Sequence, residues 1–203
     1  GSSTWGTNHP DATVLKDGTI MVVFHERMNA TRTGLRTGED IWGIKSTDNG
    51  DTWSAPFLVY TDAPGYDLSD QLPTIAQTCD GTVHVVFSGG GMWYQVWTIS
   101  PDGGASWMVQ GQITPPHSTL LNNHVRQTVD GGLALVYEVQ RDGDLTPNVY
   151  ITFYDQGVWI TEERITNKPS GATSSGNVRP YVIQVDNSTS SNHRKMLVAY
   201  RID

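Results

Sequence analysis

STDNGDTW, residues 46–53, returns as SPDGGASW, residues 100–107, which places Asp48 and Asp102 54 positions apart. Both stretches spell Ser-x-Asp-x-Gly-x-(Thr/Ser)-Trp, with Ser46, Asp48, Gly50 and Trp53 in the first copy and Ser100, Asp102, Gly104 and Trp107 in the second. A weaker third copy, YDQGVW at 154–159, supplies Asp155 and Trp159 but lacks the Ser and reaches its Trp one residue sooner. The letters describe a turn. Glycine tolerates the unusual backbone angle, the carboxylate accepts turn amides, and the Trp is expected to pack back under the corner.

A second pattern precedes each box. Asp17-Gly18 leads into IMVVF, Asp80-Gly81 into VHVVF and Asp130-Gly131 into LALVY. Asp-Gly between apolar runs is a strong hairpin signal. The runs are apolar on nearly every residue, so both faces of each strand are expected to be buried. Each unit therefore reads as four strands, lettered A to D. A leads into Asp-Gly, B is the apolar run, C enters the box and D leaves it. No helical periodicity of any length interrupts them. Repeats of this size with four strands apiece predict an all-β propeller of four-stranded antiparallel blades. The blades fall at about 8–60, 70–114 and 122–166, with half a blade at about 177–203. One partial propeller domain of about three and a half blades is the expectation.

Composition agrees and excludes other classes. Of 203 residues 37% are apolar and only 17% charged, with 21 Gly and 7 Trp, which suits a turn-rich β protein rather than a disordered one. A net charge of −8 with 13 Lys and Arg disfavours a nucleic-acid partner, because phosphate binding needs clustered cations. No apolar run approaches the ~18 residues of a membrane span, so no membrane partner is expected. Cys79 is alone and is expected as a small buried residue beside a turn. DNGD, residues 48–51, is oxygen-rich but too short for an EF-hand and lacks its distal Glu, so neither metal nor cofactor is expected.

The boxes resemble the Asp-boxes, or bacterial neuraminidase repeats, of the sialidase-like β-propeller superfamily. That resemblance covers the whole chain. It implies a carbohydrate-active protein, a sialidase-like glycoside hydrolase acting on an acidic glycan. A non-catalytic sugar-binding propeller, a His/Tyr lyase acting on uronate glycans, and a protein-interaction propeller remain alternatives, because one fold hosts many functions. A secreted or cell-surface setting is expected, although no residue encodes the compartment.

A meander puts the A–B and C–D turns on one face, and the B–C loops and D–A crossovers on the other. The longer segments on that second face carry His25, Arg27, Asp40, Trp93, His124 and Glu138, and the starts of the A strands add Asn8, His9, Gln71, Arg126 and Arg179. Arginine forks suit a sugar carboxylate, and Trp93 offers a flat face to a sugar ring. Hydrolysis needs a general acid and a partner, for which Asp40, His124 and Glu138 are the candidates. Matched to the family pattern residue by residue, Asn8 stands where the signature arginine before a Pro belongs. Arg27 occupies the place of a second arginine. Asp40 is the nearest candidate for the acid. Asn123-His124 stands for the Asn-Glu pair that polarises a tyrosine nucleophile. Arg179 is a possible further clamp, and Tyr200 is the only tyrosine near the end of the sequence. Three and a half blades do not close a ring, so either a homo-oligomer or a longer chain is expected.

Overall fold

The structure is a computed structural model that describes residues 7–26, 39–62, 70–90, 94–113, 119–141, 147–160, 162–166, 180–184 and 196–199. These residues form fifteen strands and no helix. The first sheet holds β1 (Thr7–Val14), β2 (Ile20–Glu26), β3 (Asp40–Ser46) and β4 (Phe57–Tyr60) in that order. The second holds β5 (Gln71–Gln77), β6 (Val83–Gly89), β7 (Tyr94–Ser100) and β8 (Met108–Gln112). In the third, β9 (Thr119–Gln127), β10 (Leu133–Gln140) and β11 (Asn148–Asp155) are followed by an outer strand in two pieces. Both β12 (Val158–Trp159) and β13 (Glu163–Arg164) pair with β11. The fourth sheet contains β14 (Tyr181–Gln184) and β15 (Met196–Ala199). Every pairing is antiparallel, and the inner strands stack in the order β1, β5, β9, β14. The fold is a partial β-propeller of four-stranded blades.

The apolar runs explain the stacking. All seven residues of β6 are buried. Ile75, Val83, Val85 and Phe87 face blade 1 and pack with Met21, Val23 and Ile41. Ala76 and Val86 turn to the other side and pack with Val125, Leu133, Leu135 and Tyr137 of blade 3. Ala134, Val136 and Ile151 repeat that contact with Val182 of blade 4. A period-2 strand with both faces in a core has no polar alternation to show.

The two boxes fold alike. The Ser46 hydroxyl donates to Asp48 Oδ1 at 2.7 Å and accepts the Gly50 N–H at 2.8 Å, while Asp48 Oδ1 accepts the Thr52 N–H at 2.9 Å. Ser100 donates to Asp102 at 2.7 Å and accepts the Gly104 N–H at 2.6 Å, while Asp102 accepts the Ser106 N–H at 2.9 Å. Gly50 and Gly104 hold φ at 97° and 81°, the left-handed angles these turns require. The third copy is a tighter two-residue hairpin, with Gln156 and Gly157 both at positive φ between paired Asp155 and Val158. Trp107 and Trp159 pack against the cores, whereas Trp53 lies over Gly50 of its own turn and stays 43% exposed. Cys79 is likewise exposed rather than buried. It sits where three A–B turns meet, its N–H bonded to Gly131 O at 3.0 Å and its carbonyl accepting from the Lys16 ammonium.

The boxes predict an acid limb. Thr52 and Ser46 hold the Asp48 carboxyl down at about 2, and Ser106 and Ser100 hold Asp102 below the usual range in the same way. A depressed carboxylate contributes stability above its unfolded value and loses it as pH falls through the folded one. The melting temperature is expected to drop between pH 4 and 2, and an Asp48→Asn variant should start lower but show a shallower fall. An unchanged slope in a pH series of thermal melts would contradict this.

Candidate functional site

The inner strands repeat one bond. Asp11, Thr74, His124 and Tyr181 occupy equivalent registers, opposite Val23, Val86, Val136 and Ala199. From three of them the side chain accepts an N–H of the next blade. Asp11 Oδ2 takes Ile75 N–H at 3.0 Å, Thr74 Oγ1 takes Val125 N–H at 3.0 Å, and His124 Nδ1 takes Val182 N–H at 3.1 Å. Arg126 adds a tie across the ring, its two terminal nitrogens each 3.1 Å from an oxygen of Asp11. Burial would raise the Asp11 pKa, but the Arg126 fork with the Ile75 N–H and Thr74 hydroxyl pulls it below the ordinary value.

Above this layer the strand entries are bent. His9 and Leu72 stand at φ 51° and 57°, each before a proline and each within a shift of register. Such angles cost a non-glycine residue about 1–3 kcal/mol, and a bulge re-aims the chain. The bend turns the Leu72 N–H to His25 Nδ1 at 3.2 Å, and His25 Nε2 in turn lies 3.4 Å from His9 Nδ1.

A cavity of about 200 Å³ opens at this end of the channel, lined by His9, Leu72, Asn122, Asn123, His124 and Tyr181 among others. Its polar groups are held from behind. Asn122 Nδ2 donates to Glu138 at 3.1 Å, Asn123 Nδ2 donates to Gln95 at 2.8 Å, and the Gln71 amide donates to Glu39. Asn123 Oδ1 and His124 Nε2 are buried without a partner among the described residues. Asp11 lines this cavity and Arg126 lines a second one at the opposite end, so their ion pair divides the channel.

Both buried imidazoles are neutral at pH 7. Burial, with Arg126 beside it and Asp11 opposing, holds His124 down at about 4. Burial also lowers His25, with His9 assisting and Glu39 opposing. With Nδ1 of each ring accepting a backbone N–H, the proton resides on Nε2. Neither ring then keeps a lone pair for taking a substrate proton. Among the described residues no cluster of three His, Cys, Asp or Glu side chains is placed to hold a metal ion.

The expected site residues are distributed unevenly. His124 lines the cavity, Gln71 precedes its lining residue Leu72 and bonds to Glu39, and the Asn8 backbone pairs with that of His25. Arg126 pairs with Asp11 and lines the cavity at the opposite end. Glu138 is fully buried behind Asn122, and Asp40 is 7% exposed at the start of β3, paired in register with Glu26. Arg27, Trp93 and Arg179 lie outside the described residues, as does Tyr200. Sequence reasoning passed over Asp11, Thr74, Glu39, Gln95 and Asn122. The signal for the first two is positional, since Asp11 follows Pro10 as Thr74 follows Pro73 and Tyr181 follows Pro180.

No protein-family model matches the chain, and no curated protein matches it. Many solved structures share its fold. The GH93 α-L-arabinofuranosidase of Fusarium graminearum, solved with arabinobiose, superposes with a TM-score of 0.64 at 17% identity, over 98% of this chain and 64% of that one. The α-L-arabinanase of Penicillium chrysogenum, also with arabinobiose, gives 0.64 at 17% identity, over 96% and 62%. The Hadza microbial sialidase Hz136 gives 0.65 at 16% identity, over 89% and 40%. The chain thus spans about 40–64% of the length of these glycosidases. What the likeness carries is the propeller itself.

Two stability outcomes follow from the inner layer. Thr74→Val removes the acceptor of a buried N–H and is expected to cost about 1–3 kcal/mol, and Arg126→Ala about 2–3 kcal/mol by leaving Asp11 unpaired, both read by urea unfolding. Losses below about 0.5 kcal/mol would show that these bonds do not hold the blades together. A second acid limb should appear at higher pH. His124 and His84, each held at about 4 mainly by burial, supply stability above pH 6.5 that is lost as pH falls toward 4. A melting temperature flat over that window would refute the neutral assignment.

Proposed function

We propose that the chain is part of a glycoside-hydrolase propeller whose glycan enters the channel on the face opposite the boxes. The observation that carries this reading is the mouth cavity, where amide, imidazole and carboxylate groups are anchored by second partners and face an axial opening. Such groups suit sugar hydroxyls, which donate and accept at once. In this reading the boxes are Asp-boxes and serve only the turns.

The roles follow from the positions. Asn122, aimed by buried Glu138, binds a hydroxyl at the cavity that Asn123 and His124 also line. Asp40 is the proposed general acid, set beside the long segment that follows β2. In the acidic-sugar form, Arg27 and Arg179 clamp the carboxylate and Trp93 carries the ring. A neutral glycan is a second reading, favoured by the cations. Lys16, Lys45, Arg126, Arg141 and Arg164 are each bonded to protein oxygens. The spent lone pairs of His25 and His124 support hydrolysis over a His-based lyase reaction.

The test is incubation with arabino-oligosaccharides, sialosides and uronate polymers, reading reducing sugar and the absorbance of an unsaturated product. Reducing sugar is expected. Asp40→Asn should slow turnover about 10²–10⁴-fold, and Asn122→Ala should weaken binding about tenfold. An unsaturated product would replace the hydrolase with a lyase, binding without turnover would make it a lectin, and neither would remove the mouth as a sugar site.

A further inference from the structure

The three box turns share a backbone and differ in one side chain. Asn49 and Gly50 hold φ at 60° and 97°, Gly103 and Gly104 at 65° and 81°, and Gln156 and Gly157 at 49° and 91°. Each pair is a left-handed residue followed by a left-handed glycine, the signs of a type I′ turn. In the first box the Asp51 N–H closes that turn on Asp48 O at 3.3 Å. The first member of each pair decides what chemistry the turn is open to. Asparagine before glycine is prone to deamidate. A glycine has no Cβ to shield its nitrogen, and that nitrogen can close a five-membered ring on the asparagine amide carbon. Gly103 offers no side chain to attack, and Gln156 can close only a six-membered ring, which forms more slowly. Asn49-Gly50 is the one Asn-Gly pair in the 203 residues.

Asn49 is exposed to solvent. What restrains it is the nitrogen that follows. Ser46 is 1% exposed, and its hydroxyl donates to Asp48 Oδ1 while accepting the Gly50 N–H at 2.8 Å. The Asp48 N–H reaches the same oxygen at 3.4 Å. With one proton donated and two accepted, that hydroxyl is fully used. Ring closure needs the Gly50 nitrogen stripped of its proton and turned toward the Asn49 side chain. Neither condition is met while the N–H is held on a buried oxygen and Asn49 stays in the left-handed well. Ser100 holds the Gly104 N–H in the same way at 2.6 Å, but Gly103 ahead of it leaves nothing to protect. The third copy lacks the Ser and carries the slower-closing Gln.

We propose that Asn49 is a deamidation site whose rate is set by the Ser46 hydroxyl. When the Ser46 bond opens, base removes the Gly50 amide proton and the nitrogen attacks Asn49 Cγ. A C–N bond forms as the Cγ–Nδ2 bond breaks, and ammonia leaves. Water then opens the succinimide, at Cγ to give aspartate or at the main-chain carbonyl to give isoaspartate. Nothing is oxidised or reduced. Either product adds a negative charge between Asp48 and Asp51. Isoaspartate also lengthens the main chain by one methylene, so the box that held Asn49 in place is lost.

The experiment incubates the chain at mildly alkaline pH, folded in buffer and unfolded in urea, and follows residue 49 by peptide mapping with mass spectrometry. Aspartate and isoaspartate are expected at 49 in the unfolded chain. In the folded chain they should form at least about tenfold more slowly, the order that follows from first releasing a hydrogen-bonded N–H. Ser46→Ala, its fold checked by circular dichroism, should recover most of that factor, and Ser46→Thr, which keeps a hydroxyl, should not. Thr52→Val loosens Asp48 but leaves the Gly50 bond, and should stay slow. If Ser46→Ala fails to fold, the wild-type chain in urea below its unfolding transition takes its place. Conversion at 49 should then rise in step with hydrogen exchange of the Gly50 N–H. Equal rates in the folded and unfolded wild-type chain overturn the proposal. So does a folded Ser46→Ala variant as slow as wild type, a Thr52→Val variant as fast as Ser46→Ala, or conversion that ignores Gly50 exchange.

Discussion

Stacking sheets about an axis demands that consecutive inner strands come close, and backbone polar groups at that contact lie where water is scarce. The chain meets the demand with a side chain rather than with a strand ladder. A carboxylate, a hydroxyl and an imidazole, at one register in three successive blades, each accept a single N–H from the next. An unpaired buried N–H costs about 1–3 kcal/mol, so each junction needs its acceptor. The apolar packing around it supplies more energy but less direction. The acceptors fix how far one blade is rotated against its neighbour, and with that the width of the channel.

The same requirement consumes the groups that look most functional in the sequence. Arg126 is drawn to Asp11 because a carboxylate that already accepts two bonds at a junction still carries a full charge in a largely buried place. His124 is drawn to Val182 because its blade has no Asp or Thr at that register. A group spent on the architecture is held rigidly, and the parts left over are buried in residues that line the cavity. The His124 Nε2–H and Asn123 Oδ1 are such remainders, fixed in direction by what the other end of each side chain is doing. Preorganised polar groups of this sort orient a bound hydroxyl without further ordering cost.

The architecture was legible because it is written locally. Asp-Gly before an apolar run makes a hairpin by backbone angle alone, and the box closes on itself through Ser, Asp and Gly within five residues. The two box tryptophans differ in burial because local letters do not say which neighbour will cover a turn. Trp107 meets the blade 1–blade 2 core, whereas its counterpart in the first box stays 43% exposed. Cys79 was misjudged for the same reason, since its surroundings come from the turns of two other blades. The site was less legible still. Arg126 and Asp11 are 115 residues apart, and nothing near either one names the other. Asn122 escaped notice because an Asn beside a second Asn and a His gives no sign of the buried Glu138 that aims it.

The division of labour between the two faces follows. The boxes close most of their hydrogen bonds within themselves, and so they repeat, while Lys45 and Cys79 add ties to turns of neighbouring blades. The entries of the inner strands have no such closure. His9 and Leu72 are strained, each precedes a proline without an N–H to donate, and the Leu72 N–H finds its partner across a junction at His25. An end of the channel built from unrepeated, cross-bonded residues can change its letters blade by blade while the far face keeps its own. For that reason the residues that line the cavity, among them Asn122, Asn123 and His124, differ from blade to blade, whereas the boxes repeat.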